Sequence, residues 1–186
     1  MGNKIEKEIK TKLKNQKPTD FLLKDYCLHF SLPLNKLHEA IKILQQDKDL
    51  AFKVLTDITA IDLAKANQRF SLVYNLLSLK NNFRLIIKAS INENENALSI
   101  SDIFKASVWY EREIWDMFGI MFENSPDHRR ILTDYGFTGH PLRKDFPLTG
   151  FNEVHYDEEQ KKVVYAPVKL TQEFRVFDNI SPWQKS

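Results

Sequence analysis

The chain has 186 residues, 42% hydrophobic and 28% charged, a balance that suits one folded domain with an appendage and excludes wholesale disorder. Lysine and arginine total 27 against 25 acids, so the net charge of +2 shows no footprint of sequence-independent nucleic-acid binding. A single cysteine, Cys27, excludes an internal disulfide and any cysteine-built zinc or iron–sulfur site within the chain, and no apolar run approaches a membrane span.

The first residues, MGNKIEKEIKTKLKNQK, contain no apolar stretch of a secretory signal, and Glu6 and Glu8 without arginine do not suit a mitochondrial presequence. Ile5, Ile9 and Leu13 recur every four residues, marking residues 1–17 as a lysine-rich amphipathic lead. From Asp20 to Leu32, Tyr26, Leu28 and Phe30 alternate with polar positions, which predicts one strand. Leu34, Leu37, Ile41 and Leu44 follow at helical spacing, with Ser31 or Asn35 available as a cap. Alternation returns through Phe52, Val54, Ile58 and Ala60. Arg69 to Leu79 and Phe83 to Ile91 read as two arms of a hairpin turning at Lys80-Asn81-Asn82. The second arm places Phe83, Leu85, Ile87, Ala89 and Ile91 on one face. These elements predict an α+β core over residues 18–120, a small, mostly antiparallel sheet with helices packed on it.

Ser107 is placed to cap a helix over Val108 to Phe118, stopped by Gly119. Its apolar side chains, among them Ile114, Trp115, Met117 and Phe118, cover one broad half. Arg112, Glu113 and Asp116 fall on the other half, where Arg112 and Asp116 are spaced for an i,i+4 pair on a solvated face. Glu111 falls inside the apolar arc. A buried carboxylate needs a cation and hydrogen bonds, so Glu111 is expected to pair with Arg129, Arg130, Arg143 or Lys144 and pin the following loop to the helix. The sharper alternative makes Glu111 a catalytic acid.

Residues 121–150 form that loop. Four of the five glycines and three of the seven prolines lie between Gly119 and Gly150, which means irregular backbone, while the interspersed charges and aromatics argue for order. Residues 151–186 read as a hairpin, Val154–Tyr156 with Lys162–Ala166, and an extended apolar tail carrying Phe174, Phe177 and Trp183. A tail with no globular pattern of its own is expected to bury on another chain.

Two runs carry a resemblance. The first is Glu111-Arg112-Glu113-Ile114-Trp115-Asp116-Met117-Phe118-Gly119-Ile120. The second comprises Pro126-Asp127, Arg129-Arg130-Ile131-Leu132-Thr133-Asp134-Tyr135-Gly136-Phe137 and Gly139-His140-Pro141-Leu142-Arg143-Lys144-Asp145-Phe146-Pro147. Together they resemble the signature of the thirty-kilodalton (C) subunit of respiratory complex I, the proton-pumping NADH:ubiquinone oxidoreductase. Leu170-Thr171-Gln172-Glu173-Phe174-Arg175 and Ser181-Pro182-Trp183 extend the likeness, in the mitochondrial and proteobacterial style. Ser125 stands where the family usually has His, and His128 where it usually has Leu.

The resemblance implies a non-catalytic, cofactor-free subunit of the peripheral arm, with FMN, iron–sulfur clusters, NADH and ubiquinone all handled by other chains. The implied partners are the forty-nine-kilodalton subunit, the terminal-cluster subunit and the two-cluster ferredoxin-like subunit. Membrane association would run only through the complex, with no homo-oligomer and no nucleic acid. The expected contact set is Glu111, Arg112, Glu113, Asp116, Asp127, Arg129, Arg130, Asp134, Arg143, Lys144, Asp145, Phe174, Arg175, Phe177 and Trp183, because arginine forks meeting carboxylates across a desolvated interface are costly to break.

The residues themselves offer no Gly-rich phosphate loop, no GxSxG and no cluster spacing. His128, His140 and His155 with Asp127 and Asp134 match no compact metal-ligand pattern. Twenty lysines against seven arginines, with 15 Ile and 13 Asn, fit AT-rich codons and a mitochondrially encoded chain on the matrix side of the inner membrane. In a bacterium the corresponding place would be the cytoplasmic face. The rival readings are the equivalent subunit of a ferredoxin- or hydrogenase-linked complex and a free-standing enzyme using Glu111. RNA binding on the sheet is weaker, since Phe70, Tyr74 and Phe83 read as core.

Overall fold

A computed structural model of the chain describes residues 2–64 and 67–172. Two compact units divide the chain at Phe146/Pro147. The first is α+β, a five-stranded mixed, mostly antiparallel sheet with three helices.

Helix α1 (Gly2–Lys12) buries Ile5 and Ile9, and Leu13 just beyond its end is buried with them. Full burial of each such side chain is worth roughly 1.5–3 kcal/mol, so the lead helps build the core. The stretch expected to be one strand is two: β1 (Thr19–Lys24) and β2 (Cys27–Ser31), antiparallel around a turn at Asp25 and Tyr26, both with positive φ. Tyr26, placed by alternation on the inner face, is the exposed turn residue instead. Helix α2 (Leu34–Gln46) buries Leu37, Ala40, Ile41 and Leu44. Its N-cap is Pro33 and no side chain caps it, so neither Ser31 nor Asn35 takes that role.

Strands β3 (Val54–Asp62), β4 (Phe70–Ser78) and β5 (Phe83–Ile91) complete the sheet in the order β1-β2-β5-β4-β3. Only β2 and β5 run parallel. The β3 alternation slips at a bulge between Leu55 and Asp57, so Leu55, Ile58 and Ala60 point inward and Val54 does not. The Tyr110 hydroxyl donates to the carbonyl of Thr56 in that bulge at 3.0 Å. All five alternating residues of β5 are buried, as expected.

Helix α3 (Ser107–Phe118) packs along β3, with Phe118 edge-on to Phe70. Ser107 is its first residue; the cap position is Ala106, and no side chain caps it. A two-stranded parallel pair, β6 (Ala97–Leu98) and β7 (Phe122–Glu123), joins the segments before and after the helix. In the second unit, β8 (Asn152–Asp157) and β9 (Lys162–Pro167) pair as the expected hairpin. Phe174, Arg175, Phe177 and Trp183 lie outside the described residues.

Candidate functional site

The end of α3 and the loop that follows it gather most of the charged residues singled out by sequence. An α-helix leaves its last carbonyls without intrahelical partners. Here Gly119, at φ +77°, donates its N–H to the Trp115 carbonyl at 2.8 Å. The loop then returns to the same helix end. His140 Nδ1 lies 3.0 Å from the Asp116 carbonyl, the Leu142 N–H 3.0 Å from that of Met117, and Arg143 Nε 2.5 Å from that of Phe118. A carbonyl can only accept, so the His140 proton sits on Nδ1. The Arg143 guanidinium also meets the negative end of the helix dipole. Gly119 is required twice over: its φ suits glycine, and a Cβ would lie 2.5 Å from Arg143 Nη2 and 2.6 Å from the His140 ring.

Asp116 is the centre of the first half of the loop. Its carboxylate is fully buried and accepts the N–H groups of Ile131, Leu132 and Thr133 at 2.8–3.0 Å and the Thr133 hydroxyl at 2.6 Å. Arg130 Nη1 completes the set at 2.6 Å. Burial alone would raise this acid, but the Thr133 hydroxyl and three backbone N–H donors hold it well below the usual carboxylate range. Arg130 itself lies over the rings of Trp115 and Phe137, 5.1 and 5.7 Å from their centroids.

The polar stripe of α3 is therefore not a solvated face. Arg112 and Asp116 are both buried because the loop folds back over them, and their i,i+4 pair does not form. Arg112 donates instead to the carbonyls of Arg129 and Arg130 at 2.8 and 2.9 Å, and approaches Asp127 at 3.4 Å. Of that stripe only Glu113 is exposed.

Glu111 is buried as its position in the apolar arc implies, but it meets no arginine. One oxygen accepts the Ser99 hydroxyl at 2.7 Å and the other the Ile100 N–H at 3.0 Å. The carboxylate anchors the segment before the helix rather than the loop after it.

A second centre, which the sequence reading missed, holds the end of the loop. The buried Asp62 carboxylate accepts the N–H groups of Ala64 and Lys144 at 2.8 Å each and pairs with Arg69 at 3.1 Å. Burial opposes its charge, yet Arg69 and these two amides bring it down to about 2. Arg69 also reaches Asp145 at 2.8 Å and Glu93 at 3.0 Å, and Glu93 receives Arg143 at 2.8 Å. Both guanidinium groups lie over the Phe70 ring. Lys144 contributes its backbone, its side chain being exposed. Continuing the β3 alternation from Ile58 through Ala60 puts Asp62 on the inner face, a signal that could have found it.

Arg129, mostly exposed, forks onto Asp127, and Asp134 is exposed. Ser125 donates to the Asp127 carbonyl at 3.4 Å, while His128 is exposed. Among the described residues no group of three or more His, Cys, Asp or Glu could hold a metal ion.

Residues 30–152, which take in α3, both carboxylate centres and the whole of this loop, match the family described as the respiratory-chain NADH dehydrogenase, 30 Kd subunit. The chain belongs to that family. The C subunit of the NADH-quinone oxidoreductase of Paramagnetospirillum magneticum is 53% identical over 161 residues, covering 85% of this chain and 80% of its own. The NADH-ubiquinone oxidoreductase subunit 9 of Reclinomonas americana is 51% identical over 145 residues, covering 78% and 71%. Among solved structures, a chain of the membrane-bound sulfane sulfur reductase, an archaeal respiratory membrane complex, superposes with a TM-score of 0.66 at 26% identity. That likeness covers 79% of this chain and 86% of the other. The protein is thus a C-type subunit of NADH-quinone oxidoreductase, part of an enzyme complex. No helix among its described residues is long and apolar enough to cross a membrane.

Proposed function

We propose that this subunit is a scaffold: it contributes no redox group and no catalytic residue, and holds together the quinone-reducing end of the peripheral arm. One observation carries the reading. The loop after α3 is fixed from beneath by buried carboxylates and by the helix end, while Arg129, Leu132, Tyr135 and Leu142 on it are exposed. A polar loop held this firmly, with apolar and cationic groups facing outward, suits recognition of a protein surface. On this reading the surfaces it meets would be those of the forty-nine-kilodalton, terminal-cluster and two-cluster ferredoxin-like subunits. The exposed hairpin of the second unit, with the tail beyond it, is a second docking element. The subunit would reach the matrix side of the inner membrane, or the cytoplasmic face in a bacterium, through its partners.

The quinone-linked reading is preferred to a ferredoxin- or hydrogenase-linked one because the relatives at about half identity are NADH-quinone oxidoreductase subunits. Native electrophoresis of gently solubilised membranes, with an antibody to this chain and an in-gel NADH-oxidation stain, tests the proposal. Co-migration with a very large NADH-oxidising band is expected, and its amount should fall in Arg129→Glu. Migration as a free protein of about 22 kDa overturns the reading.

A further inference from the structure

The helices of the first unit and the inward residues of its sheet share one hydrophobic cluster, so they occupy one side of the sheet. The other side shows a different pattern. At its centre β5 turns Arg84, Ile86 and Lys88 outward, flanked across the ladder by Leu77, Asn75 and Val73 on β4 and by Cys27, His29 and Ser31 on β2. Lys24 and Leu22 of β1 continue the same rows. A solvated face of an antiparallel sheet alternates to polar residues. This one instead sets an apolar band, exposed Leu22, half-buried Ile86 and Leu77 and buried Val73, interrupted by His29 and Asn75, among three cations. Lys24, Arg84 and Lys88 are exposed, and among the described residues none of them forms an ion pair. The outward acid of β2–β5 is Asp57 on β3, two strands away from Arg84 and Lys88.

We propose that this open sheet face is a docking surface for an acidic, amphipathic segment of another subunit of the same complex. Charge complementarity selects the occupant. Arg84 and Lys88 stand four residues apart on one strand, roughly 13–14 Å at 3.4 Å per residue, with Ile86 between them. The segment that fits presents two carboxylates at that spacing and an apolar side chain between them. Such an arrangement covers the apolar band and pairs the cations as water leaves, which suppresses wrong partners as well as attracting the right one. This surface lies on the opposite side of the sheet from the helices, so it adds a second face to the scaffold proposed above and rests on that reading.

The test uses the intact, purified complex. A zero-length carbodiimide joins a lysine amine to a carboxylate only where the two already touch. Coupling of Lys88 or Lys24 to an Asp or Glu of another subunit, located by peptide mass spectrometry, is the expected result. Arg84→Lys should add a new cross-link to the same partner segment. Lys88→Arg should abolish the Lys88 cross-link. The Arg84→Glu/Lys88→Glu pair should lower assembled complex about tenfold or more, since charge pairs broken from one side are costly. Cross-links confined to this chain or to a second copy of it, with both lysines freely acylated in the intact complex, overturn the inference. Failure of the chain to co-migrate with the NADH-oxidising band would instead overturn the scaffold reading beneath it.

Discussion

The stretch from Met121 to Phe146 has almost no regular structure, yet its backbone is tied down at nearly every turn. The segment from Asn152 to Pro167 is a regular two-stranded ladder, yet Val154, Tyr156, Val163 and Tyr165, cross-strand neighbours on one of its faces, are each more than half exposed. The loop gains its order from long-range polar bonds to a buried helix: Asp116 reaches residues 14 to 17 positions ahead, and Asp62 one that is 82 ahead. The hairpin is held locally, by its own ladder and by Asp157 at its turn, and an isolated two-stranded hairpin is marginal in water. Secondary structure and rigidity are therefore separable here. What fixes a segment is where its polar groups find partners.

That contrast can be broken most forcefully at Asp116. Asp116→Asn keeps the shape but leaves the largely buried Arg130 without its counter-ion and weakens the cradle for Ile131, Leu132 and Thr133. A loss of about 3–5 kcal/mol in denaturant unfolding is expected. Fast amide exchange confined to residues 129–133 should accompany it. An unchanged midpoint would mean the loop is held by something other than this carboxylate.

Acid should act through the second centre with a definite sign. Asp62 is depressed from 3.8 to about 2 in the folded chain, so its stabilisation is complete above pH 4 and is lost as pH falls from about 4 towards 2. The contribution is about 2 kcal/mol. Asp62→Asn should be less stable at neutral pH and correspondingly less sensitive to acid over that window. Parallel stability curves for the two proteins would remove Asp62 from the account.

Gly119→Ala is expected to cost about 1–3 kcal/mol, through the positive φ and through displacement of His140 and Arg143 from the helix end. The measurement is the unfolding midpoint beside that of Arg143→Ala. If the close approach matters, the double substitution should cost less than the sum of the two.

Much of the core was legible because periodicity reports burial directly. The β5 alternation, the α2 stripe and the apolar arc of α3 all correspond to buried faces, and so does Glu111. The charged site was less legible for a physical reason. Amphipathicity describes a helix alone, and a loop that folds back over the polar face turns Arg112 and Asp116 from solvent-facing into buried without leaving any local trace. The sequence points Glu111 to downstream cations, whereas a carboxylate is satisfied equally well by a hydroxyl and an amide from Ser99 and Ile100 upstream. The turn that splits β1 from β2 was hidden because Asp25 and Tyr26 are not glycines, although both adopt positive φ.

The smallest expected effect on stability sharpens the comparison from the other side. Tyr156 and Val163 face each other across the hairpin and are 52% and 56% exposed, so neither rests in a core. Replacing both by serine removes one cross-strand pair, worth roughly 0.2–1 kcal/mol to the hairpin itself. Because the first unit has its own hydrophobic cluster, its unfolding midpoint should not move. If the apolar face serves docking, however, the same double variant should lower the amount of chain recovered in the large NADH-oxidising band while the purified chain melts as before. A fall in both together would make the hairpin part of the chain's own fold. A change in neither would return Tyr156 and Val163 to the ordinary run of scattered surface apolar residues and leave docking to the loop.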